Sequence, residues 1–146
     1  MTQLITFKLS NELYGIEVES VREILTYQKV TEIPNVSSWV KGVINLRGDV
    51  TPILDLRLKF HVSETPDYSE RTIVIAAKTK DLRMIGVVVD SVEDLVDLQG
   101  AELSAPPEMG ISIPSEYIRC LIKKNEDMIL VLDMDKLLDK SELEGL

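Results

Sequence analysis

Lys41-Gly42-Val43-Ile44-Asn45-Leu46-Arg47-Gly48-Asp49-Val50-Thr51-Pro52-Ile53-Leu54-Asp55-Leu56-Arg57 holds two apolar runs joined at a polar Arg-Gly-Asp corner. Gly48 accepts positive φ at no steric cost, and Asp49 can bond nearby backbone, between runs rich in β-branched residues. The stretch therefore predicts a β-hairpin. Asn45 and Arg47 interrupt the apolar pattern, so their polar side chains either cap neighbouring backbone or face a partner. A solvated hairpin with ordinary polar residues fits the same spacing. Pro52 donates no ladder hydrogen bond, which places the second strand at a sheet edge or beside a bulge close to Asp55.

Outward from this hairpin, the chain alternates short apolar runs with polar turns. Leu4 to Leu9 and Leu13 to Val18 predict a first hairpin about Ser10-Asn11-Glu12. Val21, Ile24 and Leu25 then fall at i, i+3 and i+4, predicting one helical turn or a sharp corner. Gln28 to Ile33 is a strand candidate, and Val36 to Lys41 reads as a capped turn delivering Trp39, the single tryptophan, against the body. Leu56 to Phe60 reads as a short helical segment, and His61 to Glu70, rich in Ser, Thr, Pro and acidic residues, as a linker.

Beyond the linker the pattern recurs. Thr72 to Ala77, a turn over Lys78 to Asp81, and Leu82 to Val89 repeat the opening strand, turn and strand. Gly15-Ile16-Glu17-Val18-Glu19-Ser20-Val21-Arg22-Glu23-Ile24-Leu25 matches Gly86-Val87-Val88-Val89-Asp90-Ser91-Val92-Glu93-Asp94-Leu95-Val96 at four identical positions, with class kept at most others. Ile53-Leu54-Asp55-Leu56 is echoed by Val131-Leu132-Asp133-Met134, again after a strand and a polar turn. Two echoes in the same order suggest duplication; chance likeness between strand patterns is the alternative. A repeat with about five short strands per unit suits small barrels. The expected fold is mainly β, two five-stranded barrels packed together, with the first over residues 10–70 and the second over 71–133. An N-terminal strand and a C-terminal amphipathic helix at 134–144, with Met134, Leu137, Leu138 and Leu143 on one face, would complete one domain spanning 1–146. Gln99 to Ser112, with Pro106-Pro107 and Gly110, reads as a loop excursion.

Composition excludes several classes. The 146 residues are 45% hydrophobic and 28% charged, ordinary for a globular chain, and no apolar run is long enough to span a bilayer. Met1 to Phe7 carries no basic segment followed by an apolar one, so a cytoplasmic protein is expected. Cys120 is the only cysteine and His61 the only histidine, which rules out intrachain disulfides, cysteine-rich zinc sites and polyhistidine metal cages. No metal and no cofactor is expected. Net charge is −9, with 7 basic and 10 acidic groups in residues 1–70 and 9 and 15 in residues 71–146. Neither half is a platform for nucleic acid, and the aromatics are too few for base stacking.

Catalytic motifs are equally sparse. His61 lies in a polar connection with no nucleophile signature nearby, and no glycine-rich phosphate loop occurs. Asp55 and Asp133 occupy equivalent places in the two halves, where an acid and base pair can be imagined for a small hydrolase; an Asp ending a strand is more often a cap. Arg47-Gly48-Asp49 also spells a cell-adhesion tripeptide, a coincidence in a chain without a secretion signal. Recognition at barrel edges or at the seam between barrels is the better-supported role.

Val21-Arg22-Glu23-Ile24, Lys41 to Gly48, Pro52 to Arg57, and Gly86-Val87-Val88-Val89-Asp90-Ser91-Val92 together resemble the CheW family of bacterial chemotaxis coupling proteins, across essentially the whole chain. The resemblance implies two SH3-like barrels forming a noncatalytic scaffold. It would join the cytoplasmic tips of transmembrane methyl-accepting chemoreceptors to the regulatory domain of the histidine kinase CheA. Carried over by motif, the receptor-facing groove comprises Val21, Glu23, Thr31, Gly42, Asn45, Arg47 and Ile73. In the family the kinase contact involves mainly the first barrel, and no residues are assigned to it here. No long apolar heptad demands an oligomer, so a free monomer is expected, and the resemblance implies recruitment to membrane receptor arrays without insertion. The same module occurs within CheA and at the front of CheV; the chain as given shows no receiver or phosphoacceptor module. A coupling protein of a related pathway, such as surface motility, would look alike. Arg47 can instead serve its own hairpin or pair with Glu23, and the two roles are compatible.

Overall fold

The structure is a computed structural model, described here for residues 1–63, 66–105 and 113–138. Eleven strands run β1 (Gln3–Leu9), β2 (Glu12–Glu17), β3 (Val21–Thr26), β4 (Val40–Leu46), β5 (Asp49–Asp55), β6 (Ile73–Lys78), β7 (Met84–Val89), β8 (Ser91–Asp97), β9 (Glu102–Ser104), β10 (Ile118–Lys124) and β11 (Asp127–Leu132). A four-residue helix α1 (Leu56–Lys59) follows β5, and single 3-10 turns cover Val18–Ser20, Ser115–Tyr117 and Met134–Lys136.

Two sheets result, ordered β8-β1-β2-β11-β10-β9 and β3-β6-β7-β5-β4. The fold is mainly β, as expected, but one sheet has six strands because the short β9 adds to β10. Val40 to Asp55 forms the β4–β5 hairpin, with Leu46 opposite Asp49.

Sheet membership does not follow a division at residue 70. Hairpin β1–β2 pairs with β8 and with β11, while hairpin β6–β7 pairs with β3 and with β5. Each sheet therefore takes the leading hairpin of one repeat and the later strands of the other. Within this exchange the duplication is exact in register. Gly15 lies opposite Val131 and Gly86 opposite Ile53 in the two parallel ladders, and bulges recur at matching places in β4–β5 and β10–β11.

Apolar runs without clean alternation are explained by strands buried on both faces. In β5, β6 and β7, Ile53, Val74 and Val88 fill a small core beneath the five-stranded sheet, whereas Leu54, Ile75, Val87 and Val89 face a larger core shared by both sheets. Likewise Leu4, Ile129 and Val131 fill the second small core, and Phe7, Leu130 and Leu132 the shared one. Phe7, Tyr14 and Phe60 stack in series there, with centroids 5.9 and 6.5 Å apart.

Several local expectations need correction. The turn expected over Glu19 to Leu25 is present only at its start: a 3-10 turn covers Val18–Ser20, and from Val21 the chain runs as β3, with a bulge between Val21 and Glu23. Gln28 to Ile33 forms only an isolated bridge, Thr31 to Val43. Of the two expectations for Pro52 the edge fails, since β5 lies between β4 and β7, but the bulge is present: the β4–β5 register shifts opposite Ile53 and Leu54, close to Asp55. The missing N–H of Pro52 is tolerated because the parallel ladder to β7 begins one residue later, at Ile53. The stretch read as a loop from Gln99 contains β9, and residues 106–112 lie outside the described residues. Of the C-terminal helix, the described part is the turn Met134–Lys136 with Leu137 and Leu138 buried in the shared core; Leu143 lies outside the described residues.

Candidate functional site

The segment after β3 bridges back to β4, the other edge strand of the five-stranded sheet, and this seam, with the Glu23–Arg47 pair at one end, carries most of the candidate residues. At one end, Arg47 Nε lies 3.3 Å from Glu23 Oε2. Arg47 can reach because it adopts φ +53° in the hairpin turn, and Asn45 Oδ1 accepts the Gly48 N–H at 2.9 Å to hold that turn. The Arg47 side chain remains 81% exposed, so the pair orients Arg47 while leaving it open to a partner. A surface pair of this kind contributes about 0.2–1 kcal/mol to folding.

Midway along the seam, Thr31 and Val43 exchange two backbone hydrogen bonds of 2.9 Å. Gly42 makes this possible: a Cβ there would lie 2.3 Å from the Thr31 carbonyl oxygen, and its φ of +146° suits glycine. Thr31 is exposed and Gly42 buried, so Gly42 acts by letting the Thr31 segment approach.

Val21 and Ile73 do not extend this set into one apolar patch. Val21 opposes Ala77 and Ile73 opposes Thr26, at opposite ends of the β3–β6 ladder, about 15 Å apart by strand rise. Both are half-buried against the shared core. The structure thus gathers Glu23, Asn45 and Arg47 at one end and Thr31 with Gly42 in the middle, and separates Val21 from Ile73.

At the other end of the seam stands a cluster that motif reading missed. Tyr68, from the linker, lies over Tyr27 at 4.7 Å between centroids, with the Lys41 ammonium 5.0 Å from its ring. Its hydroxyl donates to Asp55 Oδ2. Burial and that carboxylate push the phenol above its ordinary range, so it stays a donor. The signal in sequence was slight: one aromatic in a polar run.

Asp55 is fully buried and caps α1, accepting the Arg57 N–H at 2.9 Å. Arg57 also grips it with Nε at 3.0 Å and Nη2 at 2.9 Å, while Nη1 donates to the Asp67 carbonyl and to Asp90. Burial works against the guanidinium's charge, yet Asp55 and Asp90 hold its pKa above the ordinary value. Losing Asp55 or Arg57 would leave the other's buried charge uncompensated, at about 3–5 kcal/mol. Asp90 in turn accepts the Ser10 N–H at 2.6 Å, linking the cluster to the β1–β2 turn of the other sheet. Asp133, the equivalent of Asp55, caps its own turn through the Asp135 N–H at 3.1 Å. Both aspartates are therefore caps.

His61 is an exposed turn residue with φ +57°, and Cys120 packs against a small core, where burial raises its thiol pKa. Among the described residues no acidic, His or Cys group of three is placed to hold a metal ion, and no helix is long and apolar enough to cross a membrane.

A model of the CheW-like domain matches residues 3–142. The chain is 38% identical to the chemotaxis protein CheW of Klebsiella aerogenes over 97% of its own length and 84% of the relative's. It is 31% identical to that of Treponema pallidum, over 99% and 86%. In structure it resembles the scaffolding protein TtCheW from Thermoanaerobacter tengcongensis, with a TM-score of 0.79 and 25% identity over 91% of this chain and 84% of that one. Both sheets, their exchanged hairpins and the seam lie within the matched span, and the chain belongs to the CheW family.

Proposed function

We propose that this chain is a scaffold coupling chemoreceptors to the histidine kinase CheA in bacterial chemotaxis. The observation that carries the reading is the CheW-like match running from residue 3 to 142, across every strand of both sheets. A scaffold acts by holding two partners at high effective concentration and by passing the conformational bias of one to the other.

The seam of the five-stranded sheet is the receptor-facing site in this proposal. An exposed guanidinium held by Glu23 beside an accessible Thr31 offers charge-assisted bonds to the helical tip of a receptor. The regulatory domain of CheA binds elsewhere, the free chain is a monomer, and it works in the cytoplasm, recruited to receptor arrays through the receptor tip. No catalytic step belongs to this role. The aspartates a hydrolase would need are engaged as caps, Asp55 additionally by Arg57 and Tyr68.

A pull-down at physiological salt, with a CheA regulatory domain and separately with a receptor cytoplasmic tip, tests the bridge. Binding to both is expected; binding to neither refutes it, and capture only of a motility-pathway kinase and receptor moves the scaffold to that pathway. Arg47→Ala is expected to weaken the receptor tip by about 2 kcal/mol, roughly thirtyfold, with folding and kinase binding intact. Unchanged receptor affinity in that variant would remove Arg47 from the face.

A further inference from the structure

We infer that Tyr68 is a positioning residue for the receptor-facing seam, a clasp set by the linker at the end opposite the Glu23–Arg47 pair; this rests on the scaffold reading above. The two edge strands are not joined by a regular ladder: β3 and β4 stand at opposite ends of the sheet order. Their approach is held at three places. Glu23 and Arg47 close one end, Thr31 of the segment after β3 bridges Val43 of β4 in the middle, and Tyr68 closes the other end, its ring centroid 4.7 Å from that of Tyr27, just past β3, and 5.0 Å from the ammonium of Lys41 on β4.

Tyr68 is itself fixed from below. Its hydroxyl is bonded to Asp55 on β5, and the Arg57 guanidinium lies 5.1 Å from its ring. Arg57 then reaches Asp90, which holds the Ser10 N–H of the β1–β2 turn. Lys41 and Tyr27 flank the positions that face the receptor, Gly42 one residue on and Thr31 four residues on. The spacing of Thr31, Asn45 and Arg47 thus depends on a side chain that lies outside the receptor-facing set. The same side chain ties that spacing to the six-stranded sheet.

The test compares the full chain with Tyr68→Ala and Tyr68→Phe. Tyr68→Ala should speed amide exchange at Thr31 and Val43 by about tenfold while the β1 and β2 amides keep their protection. It should also weaken the receptor tip by about tenfold and leave the kinase regulatory domain bound as before. Combined with Arg47→Ala, its effect on receptor affinity should be less than additive, since both act on one seam. Tyr68→Phe keeps the ring and loses the bond to Asp55, and should give a smaller change of the same sign; it carries the comparison alone if the alanine variant does not fold. Unchanged exchange at Thr31 and Val43 overturns the proposal, as does a uniform rise through all strands with both partners weakened alike. A wild-type chain that binds no receptor tip refutes the scaffold reading instead, and the exchange comparison still decides the clasp.

Discussion

Gly42 shows how one missing side chain can set a surface. Its Cβ position is occupied by the Thr31 carbonyl, a backbone atom that has no alternative rotamer. Gly42→Ala must therefore push the 27–33 segment off β4 or distort φ at a position that favours glycine. Expected losses are about 1–3 kcal/mol in denaturant unfolding, with the Thr31 and Val43 amides losing protection first. Full retention of both would show that the segment has room to shift. Asn45 and Arg47 were legible in sequence because polar groups in an apolar pattern demand an explanation, and the turn chemistry around Gly48 supplied one, whereas Glu23 entered through the family resemblance. Tyr68 was not legible. An aromatic in a polar linker looks like any loop residue until the fold places Tyr27, Lys41 and Asp55 around it.

At the scale of elements, the internal repeat was readable because identical register imposes identical residues. Gly15 and Gly86 sit where a hairpin of one repeat meets a later strand of the other, Val131 or Ile53. A Cβ on Gly86 would lie 2.6 Å from Ile53 Cδ1 and 3.0 Å from Val74 Cγ1; on Gly15, 3.0 Å from Ile129 and 3.1 Å from Leu4. Gly15→Val and Gly86→Val should each overpack one small core, costing about 1–3 kcal/mol. Thermal or urea unfolding of the two variants measures this, and a neutral effect at either glycine would break the equivalence of the junctions. The repeat also yields paired surface grooves, one lined by Val50, Pro52, Leu82 and Met84, the other by Leu13, Met128 and Leu130. What composition concealed was period. Val21, Ile24 and Leu25 fall at helical spacing although β3 turns Val21 to the shared core and Leu25 to the small one and leaves Ile24 exposed, and Pro52 allowed an edge although its strand is interior, beside a bulge. Bulges and partial ladders are properties of the partner strand, which a local window does not contain.

For the molecule as a whole, the exchange of hairpins matters more than the count of strands. Had each repeat kept its own hairpin, the sheets would be two linked units with a division near residue 70. Instead β1–β2 is built into the sheet of β8 to β11, and β6–β7 into that of β3 to β5. The shared core draws on both: Phe7, Leu9, Tyr14 and Ile16 from the first hairpin pack with Ile75, Val87 and Val89 from the second. Arg57 adds a polar tie through Asp90 to Ser10. Neither sheet can open without exposing apolar surface of the other, at about 25 cal/mol for every Å² uncovered. Unfolding should therefore be one cooperative transition. Trp39 fluorescence reports the approach to β4 where it packs against the shared core, whereas far-UV circular dichroism averages over both sheets. In a urea titration the two curves should superimpose, with one midpoint and one slope. If fluorescence changed at lower urea than dichroism, packing at the shared core would loosen before the strands melt, and the exchanged hairpins would not bind the two sheets into a single folding unit.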